Sequence, residues 1–151
     1  MTIDRSTPAL GALFQELILE HYKKPRNRGA IPDADATIHM KNPTCGDEIH
    51  LGLRLDEEGR IADVKFLGEG CSISQASASM MTKLLIGKTA AEAHELAARF
   101  TAMMHGDADA AKDRALGDTR ALAGVAKFPA RVKCALLSWD AMEEGLKRIG
   151  R

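Results

Sequence analysis

The sequence predicts an α+β domain in which a small antiparallel sheet of about three strands is packed against helices. Apolar and polar residues alternate between residues 49 and 66, which is the period of a strand with one buried face. Apolar residues recur at helical spacing between residues 72 and 104 and again after residue 129. Because the strand patterns precede most of the helix patterns, we expect the helices to cover one face of the sheet.

Length and composition limit the classes of protein to which the chain can belong. A chain of 151 residues is the size of one ordinary domain, so residues 1–151 are expected to form a single domain that folds without disulfides. Lysine plus arginine equals aspartate plus glutamate at 21 each, a balance that argues against a nucleic-acid partner. The first residues show no signal-peptide pattern, and no apolar run reaches the ~20 residues of a membrane span. We therefore expect a cytoplasmic protein without a membrane partner.

The first third of the chain contains one predicted helix followed by the strands. Thr7 and Pro8 are typical of a helix N-cap and a first helical position, and the helix is expected to end near Lys24 and Pro25. The turn DEEGR separates two alternating segments that predict a hairpin, and ATIHMKN is a candidate third strand. The positions expected to face the core are Leu10, Leu13, Phe14, Leu17, Ile18 and Tyr22 in the helix, and Ile49, Leu51, Leu53, Leu55, Ala62, Val64 and Phe66 in the hairpin.

Two further helices are predicted in the middle of the chain. One begins near Ser72 and is stopped by Gly87. The next begins with a capping box formed by Thr89 and Glu92 and continues to about Met104. Both helices carry apolar stripes, so we expect both to pack on the core.

The last part of the chain combines an irregular segment with a final helix. Residues 105–128 are rich in Gly, Asp and Ala and have only short apolar patterns, so we expect an insertion with about two helical turns. Pro129 is expected to begin the last helix. Its predicted buried side consists of Val132, Leu136, Trp139, Met142, Leu146 and Ile149.

The three cysteines all lie at predicted ends of helices or strands. Cys45 precedes a strand, Cys71 lies where a strand turns into a helix, and Cys134 lies in the first turns of the last helix. Unpaired N–H groups at a helix N-terminus favour the thiolate, which is the form of cysteine that binds metal and attacks sulfur. An odd number of cysteines in a reducing cytosol argues against disulfides. The thiols are therefore ligands, nucleophiles or inert core residues.

The stretch NPTCGDEI contains a candidate pair of metal ligands. Asp47 has the same strand parity as Cys45, so both side chains can leave the same face, and Gly46 allows the backbone to bend between them. A tight turn with an inert thiol explains the same residues, and the cysteine spacings match no CxxC pair. A Cys–His hydrolase is a further alternative, although the sequence pairs no particular histidine with a cysteine.

Four motifs in order make the chain similar to a known family. EHYKKPRNRG, NPTCGDEI, FLGEGCSISQASASMM and FPARVKCALLSW resemble, over nearly the whole chain, the U-type iron–sulfur cluster assembly proteins (IscU-type, SufU-type and NifU N-terminal domains), which have a SufE/NifU-like fold. In the IscU-type scaffold a histidine directly precedes the last cysteine, whereas Lys133 precedes Cys134 here. Residues 105–128 resemble the insertion of SufU-type proteins, and His105 within them is not the scaffold histidine. The chain is therefore identified as a SufU-type member.

The resemblance implies a metal site and a reaction. Zinc would be held by Cys45, Asp47, Cys71 and Cys134, and such a set suits zinc because zinc prefers four tetrahedral ligands. The implied function is that of a zinc-dependent sulfurtransferase whose Cys45 accepts persulfide sulfur from a SufS-type cysteine desulfurase for iron–sulfur cluster assembly, alongside other assembly proteins. Arg131 lies one helical turn before Cys134 and can offset the charge of the ligands, although a solvated cation at a helix start explains it equally well.

Three functions remain open from the sequence. They are the sulfurtransferase, a scaffold or carrier that binds an iron–sulfur cluster through the same residues, and a structural zinc domain that only binds partners. Lys133 favours the first, because lysine does not replace histidine as a cluster ligand. The charged segment HYKKPRNRG is interpreted either as a docking arm for the desulfurase or as a solvated loop.

Overall fold

Five helices, three strands and one 3₁₀ segment make up the described part of the chain. The computed structural model describes residues 8–151, with side chains from residue 14 onward. The predicted N-cap Thr7 and the side chains of Leu10 and Leu13 lie outside the described residues. In chain order the elements are α1 (Pro8–Lys23), β1 (Ala36–Asn42), β2 (Asp47–Leu55), β3 (Ile61–Glu69), α2 (Ser72–Leu85), α3 (Ala90–Met104), α4 (Ala108–Ala111), the 3₁₀ segment (Arg114–Lys127) and α5 (Pro129–Ile149).

The three strands form one antiparallel sheet in the order β1-β2-β3, and this confirms the predicted sheet. The register aligns His39 with His50 on the exposed face and Asn42 with Asp47 where the two strands meet their turn. Side chains of alternate residues enter the core, as expected for strands with one buried face. Those exposed by 1% or less include Ile38, Leu51, Leu53, Val64 and Phe66.

The far end of the β2–β3 hairpin departs from the predicted alternation. Ile61, not Ala62, is fully buried, and Leu55 is only half-buried. The pairing shifts register between Arg54 and Leu55. Such an irregularity changes which residues face the core, so Ile61 and Val64 are both buried although they are three residues apart.

The helices lie on the buried face of the sheet. α5 contacts β1 and β2, while α2 contacts β3, α1 and α5. Gly145 permits the close approach of α5, because a Cβ there would lie 2.6 Å from Leu53 Cδ1. Phe100 of α3 stacks on Trp139 of α5 with ring centroids 4.6 Å apart. Of the residues predicted to line the buried side of α5, three are buried (Trp139, Met142 and Leu146) and three are half-buried (Val132, Leu136 and Ile149).

The boundaries of α2 and α3 agree with the predictions from local signals. Gly87 follows α2 with φ of 88°, a conformation that glycine adopts without strain. At the start of α3, the Thr89 backbone N–H donates to Glu92 Oε1 at 2.9 Å and the Glu92 N–H donates to Thr89 Oγ1 at 3.1 Å. Within residues 8–151, no helix combines the length and hydropathy that a membrane crossing needs.

The end of α1 differs from the predicted apolar stripe. Tyr22 is 44% exposed, whereas His21 is fully buried. His21 Nδ1 lies 2.7 Å from Ser79 Oγ, and Nε2 lies 2.9 Å from Asp118 Oδ2. Both ring nitrogens therefore have partners, which is the condition for burying a polar ring at low cost. The prediction for Tyr22 was wrong because apolar spacing does not detect partners supplied by distant segments.

Residues 105–128 are more helical than the two turns predicted. Asp107 accepts hydrogen bonds from the first turn of α4, and Asp113 caps the 3₁₀ segment by accepting from the Ala115 N–H at 2.9 Å. Gly117 interrupts that segment with φ of 54°. Leu116 and Leu122 are fully buried. Short capped turns of this kind have too few residues for a helical period to be recognised in sequence.

Candidate metal centre

Cys45 lies in the tight turn that joins β1 to β2. The turn is closed by a hydrogen bond of 2.8 Å from the Gly46 N–H to the Asn42 carbonyl, and the Thr44 N–H donates to Asn42 Oδ1 at 3.2 Å. Gly46 has φ of 72°, which the turn requires and which a side chain would strain. Cys45 is half-buried and is flanked by exposed Thr44 and Gly46. The turn therefore leaves Cys45 partly accessible to solvent.

Asp47 is the first residue of β2, and its carboxylate is buried. Its Oδ1 accepts a hydrogen bond of 2.9 Å from the backbone N–H of Cys71, the N-cap of α2. Its Oδ2 accepts from the Cys45 thiol at 2.9 Å and lies 3.7 Å from Cys71 Sγ. One carboxylate thus contacts both cysteines that precede α2.

Cys134 completes the group from the second turn of α5. It is fully buried, and its Sγ lies 2.9 Å from Cys45 Sγ and 3.7 Å from the Ala130 carbonyl. All three cysteines are free thiols. The residues 45 and 134 are 89 positions apart, so only the packing of α5 beside the β1–β2 turn brings them together.

Three of the four residues predicted as ligands therefore meet in one place, and the fourth, Cys71, lies beside them. The donor atoms of Cys45, Asp47 and Cys134 all lie within 4.8 Å of one another. Cys71 approaches the same group through Asp47. Three sulfur donors and one carboxylate that converge in this way fit the ligand preference of zinc, which takes four ligands from thiolates, imidazoles and carboxylates. Within the described residues, this donor group contains no histidine.

The pKa values of the Asp47 carboxyl and the Cys134 thiol shift in opposite directions. Burial raises the pKa of Asp47, but hydrogen bonds from Cys134, Cys45 and the Cys71 backbone outweigh burial and hold that pKa below its usual range. Burial, together with hydrogen bonds to Asp47 and Cys45, raises the pKa of the Cys134 thiol well above its usual value. A buried thiol of this kind keeps its proton unless a cation takes the proton's place.

Arg131 and Lys133 are the two cations of α5 that lie nearest to Cys134 in sequence. The negative charge of Cys71, followed by hydrogen bonds with Cys134 and Cys71, raises the pKa of Arg131. Its guanidinium is therefore close enough to these thiols for their charge to favour its protonated form, as expected from its position one turn before Cys134. Lys133 is exposed, and His105 is an exposed residue at the C-cap of α3.

Two residues that support the centre were missed by sequence reasoning. Gly70 has φ of 148°, and a Cβ at this position would overlap Asp47 Oδ1. Asn42 is buried opposite Asp47, and its Nδ2 has no partner among the described residues. The glycines of GEGC were a signal for the first, since glycine marks positions where the backbone is approached closely.

Comparison with known proteins places the chain among assembly proteins. Residues 13–135 match the NifU-like N-terminal domain. The chain is 49% identical over 140 residues to the zinc-dependent sulfurtransferase SufU of Bacillus subtilis (strain 168), covering 92% of each protein. It is 44% identical over 139 residues to the iron–sulfur cluster assembly scaffold protein IscU of Streptococcus pyogenes serotype M1, covering 92% of this chain and 86% of that protein.

A solved structure agrees with these sequence comparisons. The fold matches a crystal structure from Fervidobacterium islandicum AW-1, described as a candidate iron–sulfur cluster assembly scaffold of the SUF system, with a TM-score of 0.80 and 39% identity. The match covers 87% of this chain and 94% of that one. The chain therefore belongs to the NifU-like N-terminal domain family, with the SufU-type and IscU-type iron–sulfur cluster assembly proteins as its relatives.

Proposed function

We propose that the protein is a zinc-dependent sulfurtransferase that accepts persulfide sulfur from a SufS-type cysteine desulfurase for iron–sulfur cluster assembly. The single observation that carries this proposal is the meeting of an accessible thiol, Cys45, with a buried carboxylate and a second thiol within 4.8 Å. The name of the Bacillus subtilis relative supports the same function.

The residues that would hold zinc are Cys45, Asp47, Cys71 and Cys134. When bound, zinc would keep the thiols deprotonated at neutral pH. Three thiolates and a carboxylate exceed the charge of a divalent cation by two, and Arg131 is placed to offset part of that excess. We expect the fold to survive without zinc, because a chain of 151 residues buries a sufficient core without a metal.

Cys45 is the proposed sulfur acceptor because it is more accessible than Cys134 and less firmly anchored than Cys71. Cys134 is fully buried on α5, and Cys71, although half-buried like Cys45, is the N-cap residue of α2. Cys45 lies on the turn between β1 and β2. The Cys45 thiolate attacks the outer sulfur of the partner's cysteine persulfide. A bond forms between Cys45 Sγ and that sulfur, the bond to the partner's cysteine breaks, and the electron pair leaves with the partner's thiolate.

The surface beside the centre supports contact with a protein donor. Phe128 is 60% exposed, and it lines a groove of about 370 Å³ with Ile18, Ile73, Val125 and Arg131 among its other walls. Exposed aromatic residues with an adjacent arginine are common at protein interfaces. A desulfurase that delivers sulfur to Cys45 must cover the surface near Arg131, so this groove is the proposed contact region.

The test follows sulfur to a particular thiol. The zinc-loaded protein is incubated with a SufS-type desulfurase and cysteine, digested without reductant and analysed by mass spectrometry. We expect a gain of about one sulfur atom per chain on the peptide containing Cys45. Cys45→Ser should abolish both this gain and the stimulation of the desulfurase, while Thr44→Ser in the same turn should change neither. Persulfide mainly on Cys134, or unchanged stimulation by Cys45→Ser, would contradict the assignment.

A scaffold or carrier of an iron–sulfur cluster is the second candidate function. The same four donors suit a cluster, since cysteine thiolates are the usual cluster ligands, and the Streptococcus pyogenes relative is named a scaffold. Metal analysis and the visible spectrum of the anaerobically purified protein separate the two functions. A visible charge-transfer spectrum with bound iron and without zinc would favour the scaffold.

A further inference from the structure

A second group of metal-ligand side chains lies on the outer face of the sheet. His39 Nε2 lies 2.5 Å from Glu48 Oε2, and His50 Nε2 lies 3.3 Å from the same oxygen. The ligand atoms of all three residues lie within 4.8 Å of one another. The two imidazole rings are stacked, with centroids 4.0 Å apart and planes 10° apart. Two rings from neighbouring strands therefore direct the same nitrogen to one carboxylate.

The backbone determines this arrangement. His39 of β1 is the direct register partner of His50 of β2, and Glu48 lies two residues before His50 on the same face of the strand. The group is thus built on paired strands and not on a loop. Two cations compete for Glu48 on this face: Lys41 is its register partner, and Arg28 lines the same groove. Each offers the carboxylate a positive charge, whereas the imidazoles supply two uncharged nitrogen donors to a metal.

We propose that His39, Glu48 and His50 form a separate binding site for a divalent transition-metal cation such as Zn²⁺. Two imidazoles and one carboxylate are a ligand set for such cations, whereas Mg²⁺ and Ca²⁺ prefer oxygen ligands throughout. The three ligands leave a coordination position for water or an exogenous ligand, because His39 and His50 are exposed. Binding is weaker than at a centre with thiolates, since the site is open to solvent and lacks sulfur donors.

This site is distinct from the cysteine centre. Asp47 and Glu48 are consecutive residues of β2, so their side chains leave opposite faces of the sheet. Asp47 is 1% exposed and faces Cys45, whereas Glu48 is half-buried on the outer face beside a groove of about 330 Å³. Glu69, the register partner of Glu48 on β3, lines the same groove and adds a second carboxylate to its wall.

The test uses the protein with its cysteine centre already loaded with zinc. Additional Zn²⁺ is titrated while long-range ¹H–¹⁵N NMR spectra report the ring nitrogens of each histidine. We expect the Nε2 signals of His39 and His50 to shift together and to saturate with about one further equivalent of zinc. Glu48→Gln should weaken this binding at least tenfold, because losing a ligand costs at least as much as losing a residue that only supports a ligand.

Two variants make the result decisive. His50→Ala should abolish the shift at His39, because one imidazole and one carboxylate do not retain the cation. His105→Ala, at an exposed position at the end of α3, should leave both shifts unchanged. The proposal is overturned if neither ring shifts, if only one ring shifts, or if His39 shifts equally in the His50→Ala variant. Circular dichroism of each variant checks the fold, which these exposed substitutions should preserve.

Discussion

Asp47 and Cys71 are joined by a hydrogen bond of 2.9 Å from the backbone N–H of Cys71 to Asp47 Oδ1. The bond connects the first residue of β2 to the N-cap of α2, so one carboxylate ties the turn that bears Cys45 to the helix start that bears Cys71. The N–H belongs to the N-terminus of a helix, where a negative charge is stabilised. Asp47 therefore organises the centre in addition to supplying a donor atom.

We expect the purified protein to contain about one tightly bound zinc per chain. The Asp47→Ala variant should lose its zinc faster, because three thiols and water replace the four-ligand set. The fold should survive. Asp47→Asn is the matched control: it retains an acceptor for the Cys71 N–H but not the charge, so its rate of zinc loss should be intermediate. Zinc release to a colorimetric chelator, with circular dichroism alongside, measures both effects. An Asp47→Ala protein that is unfolded in excess zinc would contradict this expectation.

Gly70→Ala should damage the centre without touching any ligand. Its Cβ would overlap Asp47 Oδ1, and φ of 148° disfavours a side chain. We expect a loss of about 1–3 kcal/mol in the free energy of unfolding and weaker zinc retention. Gly106→Ala is the control, since Gly106 also has a positive φ, of 92°, but a Cβ there meets nothing within 4 Å. If the two variants retained zinc equally well, the close approach of residue 70 to Asp47 would not matter for zinc retention, and Gly70→Ala would act only through backbone strain.

Arg131→Gln should lower the reactivity of the thiols in the zinc-free protein. A guanidinium beside a thiol favours the thiolate, and the pKa of Arg131 is raised in turn by the charge of Cys71. We expect alkylation by iodoacetamide at neutral pH to slow by roughly two- to fivefold, the range set by exposed charge pairs. Peptide mass spectrometry assigns the rate to each cysteine. Lys133→Gln, which removes the same charge two residues away, should have a smaller effect.

Asp118 should contribute stability that disappears in acid. Burial raises the pKa of Asp118, but hydrogen bonds and charges of Lys83 and His21 outweigh burial and lower it. A group with a lowered pKa in the folded state stabilises the protein above its unfolded pKa, here 3.8, and loses that contribution as pH falls through the folded value.

Asp118→Ala should therefore unfold more easily than the wild type at neutral pH, by about 1–3 kcal/mol, because it also leaves Nε2 of the buried His21 ring without a partner. The difference should shrink as pH falls below about 4. Urea unfolding of both proteins across this pH range measures the difference in unfolding free energy. Acid releases metal from both proteins, so this effect cancels when the two are compared. Asp33→Ala, an exposed control, should show no such trend. A difference that is constant with pH would mean that the carboxylate charge is not involved.

Local signals in the sequence were sufficient for most element boundaries. The Thr89–Glu92 capping box, Gly87 after α2 and Pro129 at the start of α5 each act through bonds or dihedral angles within a few residues. The alternation around Leu51 likewise predicted the buried face of the sheet, because the strand period needs no knowledge of the partner strand.

Contacts between distant segments were decided only by the tertiary structure. The sequence determined that Cys45, Asp47, Cys71 and Cys134 lie at the ends of elements, and family resemblance grouped them, but only the packing of α5 beside the β1–β2 turn set 2.9 Å between the sulfurs of Cys45 and Cys134. Partners up to 97 residues apart in sequence bury His21, and strand register stacks His39 on His50. Such contacts depend on how completed elements pack, and no local pattern of residues contains that information.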